Sequence, residues 1–245
     1  KFPRFVKYPK IPYLEEDRSV LSQEVYLFEK LDGALTQVRN LNELIIGGSK
    51  ANYLTGKIIN YSWFPNFLKW MRSNHSLYNL PEDIVMYGEW LVPVTIDYDK
   101  EKINKFYFID LAYVVENGKP QFYDYLEAIN YLCEWGIKDL VVLSPLKKGL
   151  FTEGQIREIR DNSRSQLREG NIEGLVLKNY YTRQFAKTLN FEYSELRENE
   201  KRLENKYLTL ARVKKAVRRL HDEELVKLPS LGQIVEEVVR DIKDE

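Results

Sequence analysis

Cysteine and histidine are nearly absent from this chain. Of its 245 residues, one is cysteine (Cys133) and two are histidine (His75 and His221). A single cysteine excludes an internal disulfide framework and points to a reducing compartment. Together with the two histidines it also falls short of the four Cys or His ligands usual in a structural zinc site. Long apolar runs are missing as well: none approaches the ~20 residues of a membrane span, and the N-terminus has no apolar signal region. The first residue is Lys1 rather than methionine, so one residue or a longer piece is expected to precede it. Net charge is the last absence. Lysine plus arginine (37) cancel aspartate plus glutamate (37), which excludes a protein basic over its whole surface but leaves room for local patches.

What is present describes an ordinary folded chain. Hydrophobic residues make up 44% and charged residues 30%, which rules out a disordered polypeptide. At roughly 100–200 residues per domain, the length holds one large domain or one domain plus an appendage. The 17 tyrosines are explained by a strand-rich core or by base stacking, the former being commoner. Runs of β-branched and aromatic residues predict strands over Val25–Leu31, Leu35–Arg39, Glu43–Ile46, Ile84–Leu91, Lys105–Val115, Leu140–Leu143 and Ile172–Leu177. Helical spacing predicts helices over Tyr125–Trp135, with Leu126, Ile129 and Leu132/Cys133 in its stripe, and over Thr152–Leu167. Asn117-Gly118 reads as a turn. Cys133 is expected to be buried and inert, and both histidines to lie at the surface. Strands dominate and helices intervene irregularly, which predicts an α+β domain built on antiparallel sheets.

The sharpest local signal is Phe28-Glu29-Lys30-Leu31-Asp32-Gly33, where an apolar strand runs into a turn. Alone it is weak, since Asp-Gly is a common hairpin turn and a neighbouring lysine is usually a solvated charge. Three further strands add to it: Tyr87-Gly88-Glu89-Trp90, Phe106-Tyr107-Phe108-Ile109-Asp110, and Glu173-Gly174-Leu175-Val176-Leu177-Lys178, the last followed by Phe185-Ala186-Lys187. In this order they resemble the covalent nucleotidyltransferase superfamily, and within it the ATP-dependent RNA ligase family more than DNA ligases. Lys30-Leu31-Asp32-Gly33 matches the nucleotidyl-lysine motif Lys-x-Asp-Gly, and Glu173 to Lys178 matches Glu-Gly-x-Val-x-Lys. Three positions depart from the pattern. Leu35 stands where arginine or asparagine is frequent, Lys50 where an arginine contacts the ribose, and Phe185 where the final Lys-x-Lys motif has its first lysine.

The resemblance implies an antiparallel-sheet nucleotidyltransferase (ATP-grasp-like ligase) domain over residues 1–190, with ATP and Mg²⁺ or Mn²⁺ as cofactors and AMP carried covalently on Lys30. Lys178 and Lys187 are expected to stabilise charge on the α-phosphate, because phosphoryl transfer asks for charge stabilisation more than for proton handling. Glu173 is expected to orient Lys30 or the metal, Asp32 to reach the metal through water, and Glu89 to hold the ribose. Glu29, Gly33 and Lys50 complete the nucleotide set. Phe106 and Phe108 share one face of their strand, so one is expected on adenine and the other in the core, with Phe106 favoured on adenine.

After about Asn190 the character changes. No glycine or proline occurs from Phe191 to Lys227, and Lys201–Leu220 holds eight basic residues against Glu204. A helical appendage is therefore expected over 191–245. A charge run of this kind is commonly a solvated face. Joining strand ends, however, calls for phosphate contacts beyond the nucleotide pocket, so Arg212, Lys214, Lys215, Arg218 and Arg219 are the expected nucleic-acid contacts. The expected activity is joining of 3′-hydroxyl and 5′-phosphate RNA ends, with DNA or RNA/DNA hybrid ends as alternative partners. A DNA ligase or capping guanylyltransferase is the alternative enzyme, and a nucleic-acid-binding protein on a degenerate ligase fold the alternative outside enzymes. The remaining expectations are a monomer with no membrane partner and a cytoplasmic location, in a cell or of phage or viral origin.

Overall fold

Two antiparallel sheets carry the fold among the residues that the computed structural model describes, which are 5–50, 52–54, 63–92, 96–115 and 118–193. The first sheet has the order β7 (Lys147–Gly149), β1 (Val25–Glu29), β8 (Gly174–Asn179), β9 (Gln184–Leu189). The second has the order β3 (Leu44–Gly48), β2 (Ala34–Leu41), β4 (Ile84–Trp90), β5 (Phe106–Val114), β6 (Pro120–Phe122). Helices α1 (Phe64–Ser73), α2 (Tyr125–Glu134) and α3 (Glu153–Asn162) pack around them. This is the α+β architecture the sequence predicts. No helix among the described residues is long and apolar enough to cross a membrane.

Side chains alternate across a strand, so each sheet divides its residues between two faces. In the first sheet Val25, Leu27, Leu175, Leu177 and Ala186 form one core with Ile156 of α3. The opposite face carries two rows, Tyr26–Lys178–Phe185 and Phe28–Val176–Lys187. In the second sheet Val38, Met86, Trp90, Phe106 and Phe108 pack with Phe67 and Met71 of α1. Its other face presents Val85, Tyr87 and Ala112, which meet Phe185 of the first sheet. The two inner faces therefore oppose each other, and burying both turns Lys178, Lys187 and Glu89 toward one interior cleft.

Local chemistry explains where the helices begin and end. Thr152 and Gln155 form a reciprocal capping box at the start of α3, satisfying backbone donors that no helical carbonyl reaches. Asp124 caps α2, and Gly136 follows it with φ +65, a conformation that costs glycine little. α1 was not foreseen, because its Phe64-Pro65-Asn66 opening reads as loop. Proline is tolerated in the first turn, where its missing N–H would have no partner anyway.

Four expectations on secondary structure and burial need correction, the first being the helix Thr152–Leu167, which ends at Asn162 where the chain turns extended at Ser163. Leu140–Leu143 is no strand: Val141 alone pairs, as an isolated parallel bridge to Tyr107 of β5, with Phe108 N donating to Val141 O and Val141 N to Phe106 O. The buried stripe of α2 is Tyr125, Ala128 and Leu132, one position back from the expected one, so Leu126 is 57% exposed. For the same reason Cys133 is exposed rather than buried. His75 lies at the surface as expected. The chain divides between Asn190 and Phe191 into two units, and of the second only Phe191–Tyr193 are among the described residues. The expected helical appendage beyond them, the set Arg212, Lys214, Lys215, Arg218 and Arg219, and His221 all lie outside the described residues.

Candidate active site

β1 delivers Lys30 to the mouth of the cleft. Its backbone N–H extends the ladder by donating to Gly174 O at 2.9 Å, and its side chain then meets Glu173, which lies just ahead of β8. Lys30 Nζ donates to Glu173 Oε1 at 2.9 Å and Oε2 at 2.7 Å, and also reaches Leu31 O at 3.3 Å. The carboxylate is nearly closed off from solvent (2% exposed), whereas the lysine keeps 15% of its surface, so an incoming group reaches Lys30 first. Gly33 allows the turn after Lys30 to lie against β4: a Cβ there would stand 2.7 Å from Trp90 O. In that position Gly33 N donates to Glu89 Oε1 at 3.1 Å, tying the turn after Lys30 to β4.

Glu89 is buried, and burial pushes its pKa up to about 8, against the opposing pull of the Lys30 charge and the Gly33 hydrogen bond. A carboxyl whose folded pKa lies above its unfolded value of ~4.3 stabilises the fold most at low pH. That contribution is lost as pH rises through the folded value. We therefore expect unfolding free energy to fall between about pH 5 and about pH 8 through this group, and Glu89→Gln to remove that part of the slope. Urea unfolding of both proteins over a pH series measures it, and identical slopes would contradict the assignment.

Several residues expected to bind the nucleotide or metal do other work. Asp32 is a brace: its N–H donates to Tyr98 OH at 2.8 Å, and its Oδ2 accepts from Ile96 N at 3.0 Å. This pins the segment around Ile96–Tyr98 beside Lys30. The Glu29 carboxylate points to the other face of β1, where it accepts from Ser165 OH and Gln166 N. It is buried there, and burial raises its pKa more than those hydrogen bonds lower it.

Lys178 is not exposed to a phosphate. Its Nζ pairs with Asp110 Oδ2 at 2.8 Å, donates to Ile109 O at 2.8 Å and lies over the Phe28 ring at 5.0 Å. Both members of the pair are buried (3% and 1% exposed), and burial lowers the lysine pKa while Asp110 raises it. The hydroxyls of Tyr8 and Tyr180 donate to the same Asp110 carboxylate. Lys178 is therefore a pin between β8 and β5 rather than a phosphate contact, since a buried charge needs a partner and Asp110 supplies it.

Phe106 and Phe108 share a face as expected, but it is the face turned to α1, away from Glu89 and Lys30. The Phe106 ring is fully buried and stacks on Trp70 with centroids 4.7 Å apart. It also fills the space over Gly88, where a Cβ would come within 2.3 Å of it, so no adenine fits there. The cause is an irregularity in the β4–β5 register between Tyr87 and Gly88. It leaves Ile109 unpaired and lets Asp110 pair with Tyr87 while Phe108 pairs with Gly88. The aromatic of β5 that shares a face with Glu89 is its partner Tyr107.

Lys187 stands on the inner face of edge strand β9, in the row Phe28–Val176–Lys187. Lys50 is exposed just beyond β3, two residues past the last β2–β3 pair, Gln37–Gly48. The structure thus brings Lys30, Glu173, Gly33 and Glu89 together and sets Lys187 on the same inner face, while Glu29, Asp32, Lys178, Phe106 and Phe108 serve as supports. Sequence reasoning missed Asp110, Tyr8 and Tyr98 as site-shaping residues. An aspartate within the apolar run Phe106–Val114 was the available signal, because a buried acid needs partners.

No group of three or more His, Cys, Asp or Glu gathers into a metal-holding cluster among the described residues. The carboxylate beside Lys30, Glu173, fits a hydrated magnesium, while burial pushes the pKa of neighbouring Glu89 up to about 8. Mg²⁺ needs little more, since it keeps several waters and binds through one or two carboxylates plus substrate phosphates.

A family model described as RNA ligase matches residues 23–193. Among solved structures, Naegleria gruberi RNA ligase with PPi is 20% identical at a TM-score of 0.60, over 81% of this chain and 60% of that one. A lysine-to-methionine mutant of the Naegleria gruberi enzyme with AMP and Mn is 20% identical at 0.59, over 79% and 59%. A lysine-to-alanine mutant in its apo form is 20% identical at 0.61, over 79% and 58%. Likeness at this identity is one of fold, and this chain spans about three fifths of the length of those it matches. No curated protein matches significantly in sequence.

Proposed function

Since this chain belongs to the RNA ligase family, we propose that it is an ATP-dependent RNA ligase joining a 3′-hydroxyl to a 5′-phosphate, and that Lys30 is its nucleophile. The observation that carries this reading is the Lys30 amine at the cleft mouth, held by both oxygens of Glu173. A lysine attacks only as the neutral amine, and Glu173 is near enough to take the proton. Lys30 Nζ then forms a bond to the α-phosphorus of ATP as the bond to pyrophosphate breaks. Pyrophosphate leaves, and lysyl-AMP remains. Lys187 offsets charge on the transferring phosphate, and bound Mg²⁺ or Mn²⁺ would add positive charge at the phosphates beside Glu173. The 5′-phosphate of RNA next takes the AMP from Lys30, and the 3′-hydroxyl displaces AMP to close the strand.

The Naegleria gruberi structures that carry AMP, Mn and PPi support the nucleotide and metal part of this reading. It also assigns residues 1–190 to adenylyl transfer and 191–245, with Arg212, Lys214, Lys215, Arg218 and Arg219, to grip on RNA, DNA or hybrid ends. The protein would act as a cytoplasmic monomer. Incubating it with ATP, Mg²⁺ and RNA bearing a 5′-phosphate and a 3′-hydroxyl tests the proposal. Joined strand, pyrophosphate and AMP should accumulate together. RNA binding without adenylate transfer or joined product would instead identify a non-catalytic binding protein.

A further inference from the structure

The described N-terminal segment runs from the second sheet, where Gln37 and Tyr87 donate to Val6 O, to the first sheet before β1 begins; one of its tyrosines reaches the partner of Lys178 and another reaches Lys187. Near its start Tyr8 donates to Asp110, the partner of Lys178. Near its end, residues 12–14 add to the free edge of β9 as a short parallel bridge: Lys187 N donates to Pro12 O at 3.0 Å, and Leu14 N donates to Lys187 O at 2.8 Å. These two hydrogen bonds fix Tyr13 beside Lys187, and the Lys187 ammonium sits 4.5 Å from the centre of the Tyr13 ring.

We propose that Tyr13 is a positioning residue for Lys187, holding its ammonium by a cation–π contact in the orientation that serves adenylate transfer. This rests on the ligase reading above. A lysine has four rotatable side-chain bonds, and Lys187 stands on an edge strand with part of its side chain open to solvent. Its charge helps at the α-phosphate only if it is confined there before the nucleotide arrives, since preorganised charge is what lowers the barrier. An aromatic face 4.5 Å from the ammonium restricts its orientation by attraction to the ring. The fixed backbone register matters equally, because it sets the ring against β9 independently of nucleotide.

Two measurements test this. The first is the NMR resonance of the Lys187 side chain, which a ring at this distance shifts. The shift should vanish in Tyr13→Leu and persist in Tyr13→Phe, and its absence in the unaltered protein would overturn the contact. The second is the rate of lysyl-AMP formation. Tyr13→Leu should slow it roughly 3- to 30-fold, the range that a cation–π contact covers, while Tyr13→Phe retains most of the rate. In a Lys187→Ala background Tyr13→Leu should cost nothing further, because a residue acting through Lys187 has no effect once Lys187 is gone. Equal losses in both backgrounds would mean that Tyr13 merely covers the β9 edge, and would overturn the proposal. If the unaltered protein forms no lysyl-AMP, the ligase reading fails, and with it any catalytic role for Tyr13, while the NMR shift still reports the contact itself.

Discussion

Alanine in place of Lys30 is expected to abolish uptake of adenylate from ATP altogether. The only atom removed that matters chemically is Nζ, which makes the bond to phosphorus in the proposed reaction. Loss of its ammonium also leaves the Glu173 carboxylate, 2% exposed, without its bidentate partner, so a fall in stability would accompany the fall in activity. Lys30→Arg separates the two effects. Arginine restores a positive charge and two-point contact with the carboxylate, but it does not give up a proton in proteins and so cannot attack. The arginine variant should therefore unfold close to where the parent protein does and still take up no adenylate. Calorimetry together with intact mass after incubation with ATP and Mg²⁺ reads both quantities. Adenylate on the arginine variant at the parent level would remove Lys30 from the reaction.

The second large effect is on stability. Asp110 accepts from Lys178, Tyr8 and Tyr180 at once and is 1% exposed at its side chain. Asp110→Ala strands a buried ammonium and two buried hydroxyls, and breaking a buried pair from one side costs about 3–5 kcal/mol. Lys178→Met is expected to cost less, because the remaining carboxylate keeps two hydroxyl donors and methionine fills much of the lysine stem's volume. The order of the two variants in urea unfolding is the test. If Asp110→Ala lies within about 0.5 kcal/mol of the parent, the pair does not join the sheets as described.

The motif residues could be recognised in the chain because they are local. Lys30, Asp32 and Gly33 stand within four positions, Glu89 closely follows an apolar run, and Glu173-Gly174 opens another. The antiparallel character of the sheets followed from strands that dominate the chain with helices intervening irregularly. What alternation could not supply was the side of the sheet on which a residue ends. One register irregularity beside Gly88 sends Phe106 and Phe108 to the α1 side and Asp110 to the cleft. Pairings across long separations were equally hidden: Lys30 and Glu173 are 143 positions apart, and Lys178 and Asp110 are 68 apart. Lys178 therefore read as a phosphate contact from its motif alone, and only its burial against Asp110 shows it to be a pin. The bracing role of Asp32 was hidden for a related reason. Its partners Ile96 and Tyr98 lie in a segment with no periodic pattern.

The most direct test of the account is to find where adenylate sits. The protein, incubated with ATP and Mg²⁺ without RNA, is digested and its peptides are mapped by mass. The account predicts one adenylate per chain, on the peptide containing Lys30, through an acid-labile phosphoramidate. Adenylate on any other lysine, or an unmodified chain under conditions in which ATP is bound, would contradict it.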